Sequence, residues 1–280
     1  MHTFAPDDRR PQAIGPARSA LFATKLFLQE ALKCRVTRVW LPGLYCPKVA
    51  GALKRLGLRL TYYDLDSDLT PLVSSETSPR AVSPRRRDLV IGFYPFGLTR
   101  RLPAQFLNGR NFVLDACHAL RTVLGGAPKD LRAPVIVSLR KEFGGTGQAW
   151  LLPQPEVSAC GSASEVWSPG QLSAEAAQGR VATRMAVDAL GRQLPSVGTS
   201  DVLTHLPLLA SDRDEAIATL RSKGIDAWFW QRPLPQWSTD TVPCAASLKK
   251  SLLLVPAPLR EKETEHVLNI LQKFDFCPWR

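Results

Sequence analysis

The feature that most constrains this chain is a series of short, almost wholly apolar runs, each closed by polar or glycine residues. They are "RVTRVWLP" (35–42), "LRLTYYDLD" (58–66), "RDLVIGFYPFG" (87–97), "NFVLDACHAL" (111–120) and "APVIVSL" (133–139). A strand with one wet face alternates apolar and polar residues; a strand apolar at successive positions is covered on both faces. Between the first two runs, "CPKVAGALKRLG" (46–57) has helical spacing and a stop at Gly57, as expected for a crossover between parallel strands. The chain therefore reads as α/β, with a mainly parallel sheet buried under helices.

Residues 18–34, "RSALFATKLFLQEALKC", carry apolar side chains at helical spacing, with Ser19 near the start as a cap. Residues 153–180 are rich in Pro, Ser, Gly and Ala and read as a connection between two parts. Beyond it come helix "ATRMAVDALGRQL", strand "VLTHLPLLA", helix "DRDEAIATLRSKG", short strand "IDAWFW", strand "SLLLVPA" and helix "EKETEHVLNILQKF". The expected division is a large α/β domain over 1–180 and a small C-terminal α+β subdomain with its connecting helix over 181–280.

Composition narrows the function classes. No apolar run approaches the roughly 18 residues of a membrane span, and "MHTFAPDDRRPQ" has acids and prolines where a signal peptide needs an apolar stretch. The expected location is the cytoplasm, with no membrane partner. Six scattered cysteines without CxxC spacing, and four histidines with none paired at i+4, point to reduced thiols and no metal centre. The formal charge of +11 is dispersed over "RRP", "PRRRD" and "TRR". It forms no basic helix with interleaved aromatics, so a nucleic-acid partner is not expected, whereas phosphate-bearing ligands suit it.

Ligands of open α/β sheets sit at the carboxyl ends of the strands. The polar residues there are Tyr45, the Tyr94–Gly97 turn, Asp115 and His118, and then Ser138 and Lys141. Singly, each has an ordinary structural reading: a loop lysine, a turn aspartate, a packed histidine. Their order and spacing resemble the DegT/StrS family of pyridoxal-phosphate (PLP) sugar aminotransferases, within the aspartate-aminotransferase-like PLP-transferase fold type I. "RSAL" (18–21) is similar to that family's small-residue phosphate turn. "VWLPGLYCPKVAGALKRLGLRLTYYDLD" resembles its strand–Pro–aromatic–helix–Gly–strand segment, and "LVIGFYPFG" its strand with a closing x–x–Gly turn. "FVLDACHAL" is similar to the acidic-histidine motif, and "VSLRKEFGGTGQAW" to the Ser–Lys–Gly-Gly motif.

The resemblance implies a PLP-dependent aminotransferase moving an amino group from an amino acid, glutamate by family habit, to a keto group such as that of a nucleotide-linked sugar. Lys141 would form the Schiff base with PLP, and Asp115 would pair with the pyridine nitrogen and keep the ring an electron sink. His118 would lie by the ring and Tyr45 would stack on it. Ser138, Ser19 and the backbone N–H groups around Arg18 and Ala20 would hold the phosphate at a helix start. A homodimer is implied as well.

The resemblance implies a shortened member of the family, and the chain departs from the family pattern in two further places. Ser138 is only three residues before Lys141, and Ala182 stands where many members have an asparagine two residues before an arginine, here Arg184. Arg18 or Arg184 would then take up part of the phosphate. These departures motivate the alternative of a degenerate PLP-fold protein with a non-catalytic binding role. The S-x-x-K pattern of Ser138–Lys141 also matches serine acyl-enzymes, but S-D-N and K-T-G are absent and that serine should open a helix.

Overall fold

A computed structural model describes residues 36–72, 84–85, 87–107, 111–124, 133–138, 149–152, 169–229, 234, 240–258 and 260–279. Elements are numbered in chain order. Six strands form one sheet: β1 (Arg38–Pro42), β2 (Arg59–Tyr63), β3 (Asp88–Phe93), β4 (Asn111–Asp115), β5 (Val135–Ser138) and β6 (Ala149–Leu152), in the order β2-β1-β3-β4-β5-β6. The first five run parallel, and β6 pairs antiparallel with β5. The α/β class and the mainly parallel sheet thus agree with the apolar runs. All six residues of β3 are buried, as a doubly covered strand requires.

The crossover helix α1 (Pro47–Arg55) follows β1, with Pro47 in its first turn and Lys54 and Arg55 in its last. Proline there sacrifices no helical hydrogen bond, and the cations face the negative end of the helix dipole. Gly57 ends it at φ 79°. Two short helices, α2 (Ala104–Leu107) and α3 (Leu120–Leu124), flank β4.

The C-terminal part contains α4 (Pro169–Leu190), β7 (His205–Leu209), α5 (Arg213–Ser222), α6 (Pro243–Ser251), β8 (Leu252–Pro256) and α7 (Glu261–Leu271), with β7 and β8 antiparallel. Three local expectations change. The stretch expected to be connection as far as 180 is already helix from Pro169. The described residues of "IDAWFW", 225–229, do not form a strand: among them Trp228 alone bridges to Leu254, through reciprocal N–H···O bonds of 2.9 and 2.8 Å. Helix α6 was not anticipated, because its cap is not local. The N–H groups of Cys244 and Ala245 donate to the Asp64 carboxylate just beyond β2, at 3.0 and 2.8 Å, supplying what a neighbouring Ser or Asp normally would.

Two regions of the chain meet along a strap, Asp201–His205. The Thr99 N–H and hydroxyl both donate to Asp201 Oδ1. The Val202 N–H donates to Thr122 Oγ1, whose hydroxyl donates to the Gly97 carbonyl. The Leu203 N–H reaches Thr183 Oγ1, and the Thr204 N–H reaches the Phe96 carbonyl. The Tyr94–Gly97 turn is so close to the strap that a Cβ on Gly97 would lie 1.9 Å from the Val202 carbonyl oxygen, and Gly97 also has φ 96°. Phe96, fully buried, holds φ 59° without glycine's freedom, a conformation that costs roughly 1 kcal/mol and must be held by its surroundings.

Gly57 and Gly97 provide a matched pair for stability measurements. Both have positive φ, but a Cβ on Gly57 meets nothing within 4 Å. Gly57→Ala should lower unfolding free energy by about 1 kcal/mol. Gly97→Ala should lower it by at least about 3 kcal/mol, in the range of severe packing defects. Equal losses in urea melts would contradict the close contact of the turn and the strap.

Candidate functional site

The carboxyl ends of parallel strands share one rim of the sheet, and register decides which residues meet there. Phe93, the last residue of β3, is paired with Asp115, the last of β4, and Asp115 with Ile136 of β5. Ser138 closes β5 two residues farther on and is buried. Tyr45 lies between β1 and α1, and His118 between β4 and α3; both are buried.

Asp115 organises this rim. Its Oδ2 accepts the Tyr45 hydroxyl at 2.6 Å, and its Oδ1 accepts the Cys117 N–H at 2.9 Å. Its backbone carbonyl accepts the Tyr94 N–H at 3.0 Å, so the same residue fixes the turn beside it. A buried carboxylate without such donors would be severely destabilising. The Tyr45 ring packs edge-on against Phe93 at 5.6 Å, and Phe93 in turn meets Phe96 and His118 edge-on at 6.4 and 6.3 Å.

Burial, reinforced by the Asp115 charge, pushes the Tyr45 phenol well above its ordinary range, so Tyr45 is the hydrogen-bond donor of this pair. Tyr63, whose hydroxyl donates to the Ile91 carbonyl at 2.8 Å, is raised by burial and then by Asp115. Tyr62 is raised by burial, and Tyr94 by burial and then by Asp201. These are the only four tyrosines of the chain.

The structure thus brings Tyr45, Asp115 and His118 together, with Ser138 on the adjoining strand end. Lys141, Arg18, Ser19 and Ala20 lie outside the described residues. It also adds neighbours that the sequence reading did not name. The His205 ring, from the start of β7, lies 5.5 Å from that of His118 and 5.4 Å from Trp228. The Thr204 hydroxyl donates to the His118 carbonyl at 3.0 Å. A histidine far along the chain from the strand-end motifs gave no local signal. Only the strap, joining positions 86 residues apart, brings it to the rim. Among the described residues there is no cluster of His, Cys, Asp and Glu suited to a metal ion, and no helix long and apolar enough to cross a membrane.

No protein-family model matches the sequence, and no curated protein matches it. Solved structures do. A DegT DnrJ EryC1 StrS aminotransferase from Brucella abortus is 16% identical, with TM-score 0.64, covering 92% of this chain and 84% of its own. DesV from S. venezuelae, solved in complex with a ketimine intermediate, is 16% identical with TM-score 0.66, covering 93% of this chain and 84% of its own. The putative sugar aminotransferase Spr1654 from Streptococcus pneumoniae, in its PMP form, is 13% identical with TM-score 0.66, covering 94% and 86%. The chain has the fold of these aminotransferases. The sheet order with its antiparallel β6 is therefore that of a PLP-transferase fold.

The four raised phenols predict alkaline behaviour. Unfolded tyrosines lose their protons near pH 10, while the folded ones retain theirs. The stabilisation is complete below that pH and is lost as pH rises from about 10 upward. An ultraviolet titration should show almost no tyrosinate until a cooperative alkaline unfolding, at which all four ionise together. One or more tyrosines titrating near pH 10 in still-folded protein would contradict the buried arrangement. Tyr45→Phe should cost roughly 1–3 kcal/mol by removing a donor from the buried Asp115 carboxylate, measured by denaturant unfolding at neutral pH.

Proposed function

We propose that this chain is a PLP-dependent aminotransferase acting on a keto group of a nucleotide-linked sugar, with glutamate as the amino donor. The observation that carries this reading is the Asp115 carboxylate at the end of β4, held by Tyr45 and the Cys117 N–H, in a chain with this fold.

The donor set fits the cofactor. A carboxylate offers about four lone-pair positions, and among the described residues two are used, one on each oxygen, by Tyr45 and Cys117. Acceptor capacity for a ring N–H therefore remains. When bound, PLP supplies an electron sink for charge developing at the substrate carbon.

The chain's own residues have distinct tasks. Asp115 accepts a hydrogen bond from the cofactor's ring nitrogen and balances its positive charge. Tyr45, which the resemblance would stack on the ring, donates its hydroxyl to the carboxylate and holds it in position, remaining protonated across the physiological range. His118, backed by Phe93 and Phe96, would lie beside the cofactor's ring. Lys141 Nζ binds the cofactor and then carries a proton to and from the substrate carbon; such a lysine must spend part of its time as the neutral amine. Ser138, Ser19, Ala20 and Arg18 hold the phosphate, with Arg184 as a further cation. The surplus of 36 Lys and Arg over 25 Asp and Glu favours an acceptor bearing a diphosphate. A cytoplasmic homodimer completes the reading.

The test is chemical trapping. Protein incubated with PLP and reduced with borohydride should carry the reduced pyridoxyl phosphate on the peptide containing Lys141, located by mass spectrometry. Lys141→Ala should carry none. Asp115→Asn should still be labelled, while amino transfer from glutamate to a nucleotide-linked keto-sugar falls on the order of 10²–10³-fold, as when a preorganised electrostatic partner is lost. An unlabelled wild-type protein at saturating PLP would overturn the reading and favour a non-catalytic binding role.

A further inference from the structure

We propose that Thr204 is a positioning residue that uses its one hydroxyl to hold His118 and His205 together, and so fixes the proton of His205 on Nδ1. Its relevance to catalysis rests on the reading of His118 as a cofactor-side residue.

The Thr204 hydroxyl has one proton for two contacts. Thr204 Oγ1 lies 3.0 Å from the His118 carbonyl oxygen and 3.2 Å from His205 Nδ1. A carbonyl can only accept, so the hydroxyl's single proton is committed to His118. The oxygen can then take part in the second contact only as an acceptor, and His205 Nδ1 must donate. In the neutral ring this leaves Nε2 as the nitrogen with the lone pair.

The hydroxyl itself has little freedom. The Thr204 N–H donates to the Phe96 carbonyl at 2.9 Å, and its carbonyl accepts the Ala257 N–H at 3.0 Å. Thr204 is buried, and it follows three strap residues tied to Thr99, Thr122 and Thr183. The two imidazoles it joins face each other at 5.5 Å with ring planes 47° apart, and Phe96 packs against both, at 5.9 and 6.4 Å. Trp228 closes the other side of His205 edge-on. One threonine therefore couples the His118 main chain, at the rim of the parallel sheet, to a ring from the C-terminal part. Substitution of Thr204 should disturb the site without removing any group that touches cofactor or substrate.

The test is nuclear magnetic resonance of protein labelled in its histidine rings, at pH about 8, where ordinary imidazoles are neutral. His205→Gln identifies the His205 signals. In wild-type protein His205 should show the Nδ1–H tautomer. Thr204→Val, nearly the same shape without the hydroxyl, should shift it toward Nε2–H, and Thr204→Ser should restore Nδ1–H. In parallel, PLP dissociation measured by equilibrium dialysis should weaken by roughly three- to tenfold in Thr204→Val, the scale of one hydrogen bond, and recover in Thr204→Ser. Wild-type His205 in the Nε2–H form, or a tautomer unmoved by Thr204→Val, would overturn the proposal, as would unchanged PLP affinity alongside a shifted tautomer. If wild-type protein binds no PLP at all, the aminotransferase reading fails, while the ring signals still decide the role of the hydroxyl.

Discussion

Where Gly97 lacks a side chain, the Val202 carbonyl takes the space, and the rest of the site depends on that contact. The Tyr94–Gly97 turn follows the end of β3, beside Asp115 on β4. Its Phe96 is held in a left-handed conformation while its ring packs against two histidines. The strap Asp201–His205 presses this turn down through hydrogen bonds to Phe96, Gly97 by way of Thr122, and Thr99. Asp115 holds the turn at Tyr94, while the strap holds it at Phe96 and holds the His118 main chain through Thr204. Strain of this kind persists only where surrounding contacts over-determine it, and here those contacts come from residues about a hundred positions later in the chain.

The rim itself combines two chemistries. On one side, Asp115 is a buried carboxylate balanced by a phenol and a main-chain N–H, which gives a fixed negative end with acceptor capacity to spare. On the other, an aromatic layer of Phe93, Phe96, His118 and the half-buried His205 packs edge to face. Low dielectric strengthens the interaction of Asp115 with any positive ring brought against it. A flat cationic heterocycle suits such a site better than a flexible or strongly hydrated cation does.

Much of this was legible in the sequence. The apolar runs ending at Pro42, Phe93, Asp115 and Ser138 set the parallel sheet, since successive buried positions leave few other arrangements. Gly57 marked the end of α1, and Asp115 and His118 fell on a strand end because the run "NFVL" stops there. What was not legible arises from contacts between distant residues. Helix α6 is capped by Asp64, 180 residues away, so "TVPCAAS" showed no cap of its own. "IDAWFW" has the β-branched and aromatic character of a strand, but among its described residues only Trp228 bridges, to Leu254 of β8. His205 and Thr204 sit in an ordinary apolar strand, and nothing in "VLTHLPLLA" shows that they close onto the sheet rim.

The most direct measurement of the central claim is a crystal structure of the protein grown with PLP. The pyridine nitrogen should lie about 2.8 Å from an oxygen of Asp115, the ordinary distance of a charge-assisted bond. Tyr45 should still donate to that carboxylate, and continuous density should join Lys141 to the cofactor. A cofactor bound elsewhere, or at this rim with Asp115 out of hydrogen-bonding reach of its ring nitrogen, would contradict it.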